Sequence, residues 1–268
     1  MTGRTLMFAL VPLLAVVAMA LAAPWLAPHD PMAIAPAIRL QPPSATYWLG
    51  TDAFGRDIAS RMIYGSRVSL IVGAGATIAS VVLGMAVALL AGCARVIDAT
   101  LMRVMDGIMA IPGVLLAIAL AALSGATLGA VLAAIIIPEV PRVARLVRGG
   151  VLQASTEPYV EAAVTLGTPM PRILLRHILP STFGPLIVQA TFIFGASILT
   201  EATLGFLGAG LPSETPSWGN IMAQGRMYFQ LHPGMVLFPG LALAVTLLCV
   251  NCLGNALHAR LDPVIRQA

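Results

Sequence analysis

Long apolar runs separated by short charged stretches dominate this chain. Residues 6–27, 68–94 and 107–138 contain no Asp, Glu, Lys or Arg, and neither do 177–200 and 227–259, which carry a few neutral histidines. A membrane-crossing helix needs about 20 mostly apolar residues. The run 107–138 is too long for one crossing and short for two. Read as two, with a break at Ser124-Gly125, it places the Arg-rich stretches on one side of the membrane. Cytoplasmic loops collect Arg and Lys, which favours that reading. The pattern predicts an all-α, polytopic membrane protein with about six transmembrane helices, near 6–26, 69–92, 104–122, 126–144, 184–206 and 235–256. Both termini are then cytoplasmic. Arg4, Arg95, Arg103, Arg142, Arg145, Arg148, Arg172, Arg176, Arg260 and Arg266 lie inside. Arg39, Arg56, Arg61, Arg67 and Arg226 lie outside. Glu139 and Arg142 fall at the cytoplasmic end of the fourth span, facing protein or the interface.

Residues 1–67 form an N-terminal anchor with an external loop from 27 to 67, and residues 68–268 form the core. The first span reads as an uncleaved anchor, with a signal peptide ending near Ala20-Leu21-Ala22-Ala23 as the rival. A cytoplasmic loop covers 145–182 and a second external loop covers 207–234. The small-residue pairs Gly125/Gly129 and Ala88/Gly92 suit close helix packing.

Composition narrows the chemistry. Of 268 residues 59% are hydrophobic and only 10% are charged, against roughly 25% charged in soluble domains. Every one of the 15 basic residues is Arg. Without Lys the chain cannot supply a Walker A lysine or a lysine Schiff base. Cys249 and Cys252 lie on an apolar helix and read as packing residues. Glu201 reads as a structural hydrogen-bonding group rather than a proton relay. The four histidines lack metal-ligand spacing.

The cytoplasmic loop holds the most informative stretch. Glu157-Pro158 precedes a short helix, Glu161 to Leu166, which Gly167 can end with a positive φ. Pro169 and Pro171 prevent immediate continuation. A second helix, Arg172 to Ile178, is expected to stop before Pro180. Two short helices around a glycine hinge make a knob that a partner's groove could accept; an ordinary amphipathic interfacial loop is the alternative.

Glu161-Ala162-Ala163, Gly167 and His177-Ile178-Leu179-Pro180 resemble the EAA loop of bacterial ABC importer permeases, in the form seen in the dipeptide/oligopeptide/nickel branch. Further motifs resemble that branch in order and spacing: Trp48-Leu49-Gly50-Thr51-Asp52, Gly55-Arg56-Asp57, Tyr64-Gly65-Ser66-Arg67, Arg145-Leu146-Val147-Arg148-Gly149, Thr200-Glu201-Ala202, Pro216-Ser217-Trp218-Gly219, Phe238-Pro239-Gly240 and Leu261-Asp262-Pro263. The long first external loop resembles the second, C-type permease of the pair. Asn255, His258, Ala259, Pro169 and Pro171 depart from the family pattern.

The resemblance implies a type I ABC importer permease in the bacterial inner membrane. It implies a heterodimer with a second homologous permease, two ABC ATPase subunits and an extracytoplasmic substrate-binding protein. The chain itself then carries no cofactor and no catalytic residue, ATP and Mg being held by the ATPases. The docking residues implied are Glu161, Ala162, Ala163, Gly167, His177, Ile178, Leu179 and Pro180. Glu161 either pairs with an ATPase Arg or caps its helix. Arg145 and Arg148 either flank the dock or contact lipid headgroups. Asp52, Arg56 and Asp57 are expected to contact the binding protein. Trp48 and Trp218 either sit at the outer interface or join that contact. The cargo is peptide-like, with nickel as the alternative. An ion-coupled secondary transporter is the rival class, disfavoured because mid-span charges are scarce.

Overall fold

The computed structural model describes residues 3–261, with side chains from residue 9 to residue 259. Arg266 and the Asp262-Pro263 part of the C-terminal motif lie outside the described residues. The elements are α1 (Gly3–Leu21), α2 (Ala23–Leu26), α3 (Ile58–Cys93), α4 (Arg95–Met109), α5 (Gly113–Ser124), α6 (Leu128–Ala154), α7 (Pro158–Thr165), α8 (Met170–Ile173), α9 (Leu179–Phe206), α10 (Trp218–Gly225) and α11 (Gly234–Leu261). Among the described residues there are helices and loops and no strands.

Among the described residues, three helical stretches are long and apolar enough to cross a membrane: Ile58–Cys93, Met170–Phe206 and Gly234–Ala259. The break in the run 107–138 falls where expected: α5 ends at Ser124, and Gly125 takes φ +80. The expected third span, 104–122, is not one helix. Arg95–Met109 and Gly113–Ser124 meet at 88°. Pro112, at the N-cap of α5, has ψ 124, and proline disfavours helix in the residue before it. α4 carries Arg95, Asp98, Arg103 and Asp106 and buries Met102 and Met105. Such a helix belongs at a membrane surface rather than across it.

Two expected boundaries move. Helix α3 begins at Ile58, so the end of the expected external loop is helical. Asp57 caps it, its carboxylate accepting from Ala59 N at 3.3 Å and Ser60 N at 3.1 Å. At 36 residues, α3 is about 54 Å long, well beyond the ~30 Å hydrocarbon layer. Helix α6 runs on to Ala154, which places Glu139 mid-helix rather than at its end.

The bundle is built on α3, α6 and α9, with α11 covering α9 and α1 covering α11 and α3. On α3, Ala76, Ser80, Gly84 and Ala88 recur every four residues and are all buried. A Cβ on Gly84 would meet Val143 Cβ at 2.5 Å and the Val140 carbonyl at 2.9 Å. Small residues in such a row allow two helix backbones to approach closely. Ala88 and Gly92 belong to this contact, Gly92 lying against Leu174. Gly125 and Gly129 are exposed and have open space around them, so that pair packs nothing within this chain. Outward faces stay apolar, as at Ile71, Ile78, Leu115, Leu123, Leu241 and Leu248. These faces suit lipid or another membrane subunit.

Candidate coupling knob and external loops

The candidate coupling knob starts at Pro158, the first residue of α7, with Glu161 in its first turn, where a carboxylate suits the helix dipole. The C-terminus closes as a Schellman motif. Gly167, at φ +75, donates to Val164 O at 2.9 Å, and Thr168 N donates to Ala163 O at 3.1 Å. Helix α8 follows but does not stop before Pro180. Leu174–Ile178 forms one π-helical turn that runs directly into α9. Pro180 has no N–H to complete the α-helical ladder, and a π turn re-registers the bonds around such a gap. The second arm of the knob is therefore continuous with a membrane-crossing helix, through Met170–Phe206.

Two faces of the knob differ. Val160, Ala163, Ile173, Leu174 and Ile178 are buried against Val143, Val147, Val151 and Ala154 of α6. Ala163 thus faces the chain's own core, which corrects its expected place on the docking surface. Glu161 and Ala162 are exposed. His177 and Leu179 are half-buried, and Pro180 is exposed. The sequence reading missed the knob's exposed apolar residues, Tyr159, Val164, Met170 and above all Leu166, which is 84% exposed. Asn255 and His258, two departures from the family pattern, are exposed on α11.

Arg145 and Arg148 make their ion pairs with α4. Arg148 holds Asp98 through Nε to Oδ1 at 2.5 Å and Nη2 to Oδ2 at 2.7 Å. Arg145 pairs with Asp106. Both therefore tie α6 to α4, and Arg148 also lines a cavity with Met170, Leu174 and Ile178 of the knob's second arm. The hydrogen-bonded Arg148 guanidinium holds the Asp98 carboxyl below the usual carboxylate range.

On the opposite face, the residues expected to contact a binding protein are buried: Asp52, Arg56, Asp57 and Trp218 are 1%, 4%, 3% and 0% exposed. Their polarity is satisfied internally. Asp52 accepts from Phe54 N, from Arg56 N and from Arg56 Nε, at 2.7 Å for the last. Arg56 Nη2 donates to Gln224 Oε1 at 2.7 Å, joining the segment before α3 to α10. Trp218 Nε1 donates to Met62 O at 3.1 Å. These residues shape that face rather than form its surface. Trp48 is exposed. Asn220, which the sequence reading passed over, donates from Nδ2 to Leu211 O, Pro212 O and Thr215 O. Glu201 is buried; its Oε2 accepts from the Ser69 hydroxyl at 3.3 Å, and among the described residues its Oε1 has no hydrogen-bond partner.

Comparison with known proteins places these features in context. Residues 80–267 match the profile of the binding-protein-dependent transport system inner membrane component. Residues 4–43 match the N-terminal TM domain of oligopeptide transport permease C. A probable peptide ABC transporter permease of Sinorhizobium fredii is 50% identical over 91% of this chain and 84% of its own length. The dipeptide transport system permease DppC of Alkalihalophilus pseudofirmus is 43% identical over 87% and 77%. The di/tripeptide permease DppC of Pseudomonas aeruginosa is 38% identical over 96% and 87%. Among solved structures, an inward-facing chain of the MetNI methionine ABC transporter superposes with TM-score 0.61 at 18% identity, covering 75% of this chain and 96% of that one. That likeness is one of fold.

Proposed function

The chain belongs to the binding-protein-dependent transport family of inner membrane components, and from that premise we propose that it forms one half of the translocation path of an ATP-driven peptide importer. Family membership bears out the permease resemblance and implies ATPase partner subunits. The finer assignments belong to the proposal. A second, homologous permease completes the path, and an external binding protein delivers cargo. The ATPases hold ATP and Mg, and both termini of this chain are cytoplasmic. The relatives described above carry peptide names, which supports short peptides as cargo.

The observation that carries the mechanism is the continuity of the knob with α9. Exposed Glu161, Ala162 and Leu166 offer a partner a small rim around one large apolar side chain. Their helix is held to α6 by Val160 and Ala163. A displacement of the docked knob therefore passes to α6 through that packing, and to the α8–α9 rod across the short Gly167–Pro169 turn. His177 and Ile178 lie within the π turn, with Leu179 and Pro180 at the start of the rod, and transmit the displacement rather than meet the partner. Glu161 serves as the polar contact to an ATPase. The outer face receives the binding protein through exposed Trp48 and Phe54, supported from beneath by Asp52, Arg56, Asp57 and Trp218.

The test uses vesicles containing the whole complex. Uptake of a labelled dipeptide is expected to require internal ATP and to survive collapse of ion gradients. Glu161→Arg and Gly167→Pro are expected to abolish it while the protein remains inserted. Wild-type uptake and ATPase association in both variants would sink the docking assignment.

A further inference from the structure

Glu139 sits in the middle of α6, 8% exposed. It lies about 16 Å along the helix from Leu128, roughly half the thickness of a hydrocarbon layer. Its Oε1 accepts from Arg142 Nη1 at 2.5 Å, whereas its Oε2 is buried and, among the described residues, has no hydrogen-bond partner. A buried carboxylate with one oxygen unmet is costly in an apolar segment and calls for a partner. Both residues line a cavity of about 230 Å³ between α5, α6 and α9, together with Gly113, Pro138 and Thr200. The Arg142 side chain is 48% exposed, and most of its five donors remain open.

We propose that this cavity is a transit site for the charged ends of the cargo, Glu139 receiving an ammonium and Arg142 a carboxylate. The inference rests on the peptide-importer reading. A zwitterion suits the site because it replaces each partner of the Glu139–Arg142 pair with a group of the same charge. No net charge then enters the apolar layer, and the unmet Oε2 gains a donor. The cavity is smaller than the roughly 300–1,000 Å³ of a complete small-molecule site, as fits a site whose second wall comes from the other permease.

Two measurements on the assembled complex test this. In the first, Glu139→Gln and Arg142→Gln are reconstituted in equal amounts with wild type, and each is expected to lower dipeptide uptake by about tenfold or more, the equivalent of one charge-assisted hydrogen bond. In the second, Thr200→Cys is introduced after replacing Cys93, Cys249 and Cys252. Thr200 is suitable because its hydroxyl bonds only its own helix, at Ala196 O. Dipeptide is expected to protect the introduced thiol from a polar reagent during turnover, and Glu139→Gln is expected to remove that protection. Undiminished uptake in both Gln variants, or uptake without thiol protection, overturns the transit site and leaves the importer reading intact. A wild-type complex that carries no dipeptide overturns both.

Discussion

Arg148 grips Asp98 across 50 residues of chain through two parallel hydrogen bonds, at 2.5 and 2.7 Å. The pair joins α6, which carries the knob, to α4, the amphipathic helix that the bend at Pro112 sets apart from α5. It is more ordered than a lone surface ion pair because the guanidinium fork matches the carboxylate.

Breaking this pair should loosen α4 without unfolding the bundle. Arg148→Ala or Asp98→Asn is expected to destabilise by about 1 kcal/mol, after allowing for partial exposure of both groups. A double-mutant cycle on thermal unfolding in detergent checks that the two effects are not additive. Asp98 has a folded carboxyl pKa lowered from 3.8, so its contribution is complete above the unfolded value and is lost as pH falls through the lower folded one. The Arg148→Ala protein should therefore show less added destabilisation on acidification below that range than wild type.

Gly84 allows α3 to approach α6 within contact of Val143 and the Val140 carbonyl. Gly84→Val is expected to force the two helices apart and to cost about 2 kcal/mol, within the range of overpacking. The check is the thermal midpoint of the purified chain. Gly129→Val, at an exposed glycine with open space around it, serves as the neutral comparison.

Gly167 has open space around it, yet its φ of +75 strains any residue with a Cβ. Gly167→Ala should cost about 1 kcal/mol and leave the knob assembled. Gly167→Pro also loses the hydrogen bond to Val164 O and cannot reach this φ. A graded fall in uptake, Ala mild and Pro severe, with protease cutting near residue 167 following the same order, is the expected result.

Asn220 satisfies three carbonyls of the second external loop with one amide group. Asn220→Leu removes every donor and leaves those oxygens unmet, at a cost of about 1–3 kcal/mol. Limited proteolysis should show earlier cleavage between residues 207 and 217, with the membrane core resistant as before.

Several features of this architecture are legible along the chain because their causes are local. A run of apolar residues needs a membrane or a core whatever surrounds it. Gly125 breaks the run 107–138, and Gly167 ends α7, because each takes a positive φ that other residues resist. Ala88 and Gly92, read as a close-packing pair, lie one helical turn apart on the face of α3 that packs inward.

Charged residues are the opposite case. Asp52, Arg56, Asp57 and Trp218 read as surface groups, yet are buried through partners such as Gln224 and Met62. Arg145 and Arg148 read as a docking flank, yet their charges are matched by Asp106 and Asp98. Glu139 reads as a helix-end group, yet it lines an internal cavity. The sequence by itself determined a lysine-free, helical membrane subunit with an EAA-type knob, because periodicity, turn residues and composition act over a few positions. Only the tertiary structure decided which charges are spent inside the chain and which remain for a partner or cargo. A side chain's exposure depends on residues tens of positions away, brought beside it by helix packing.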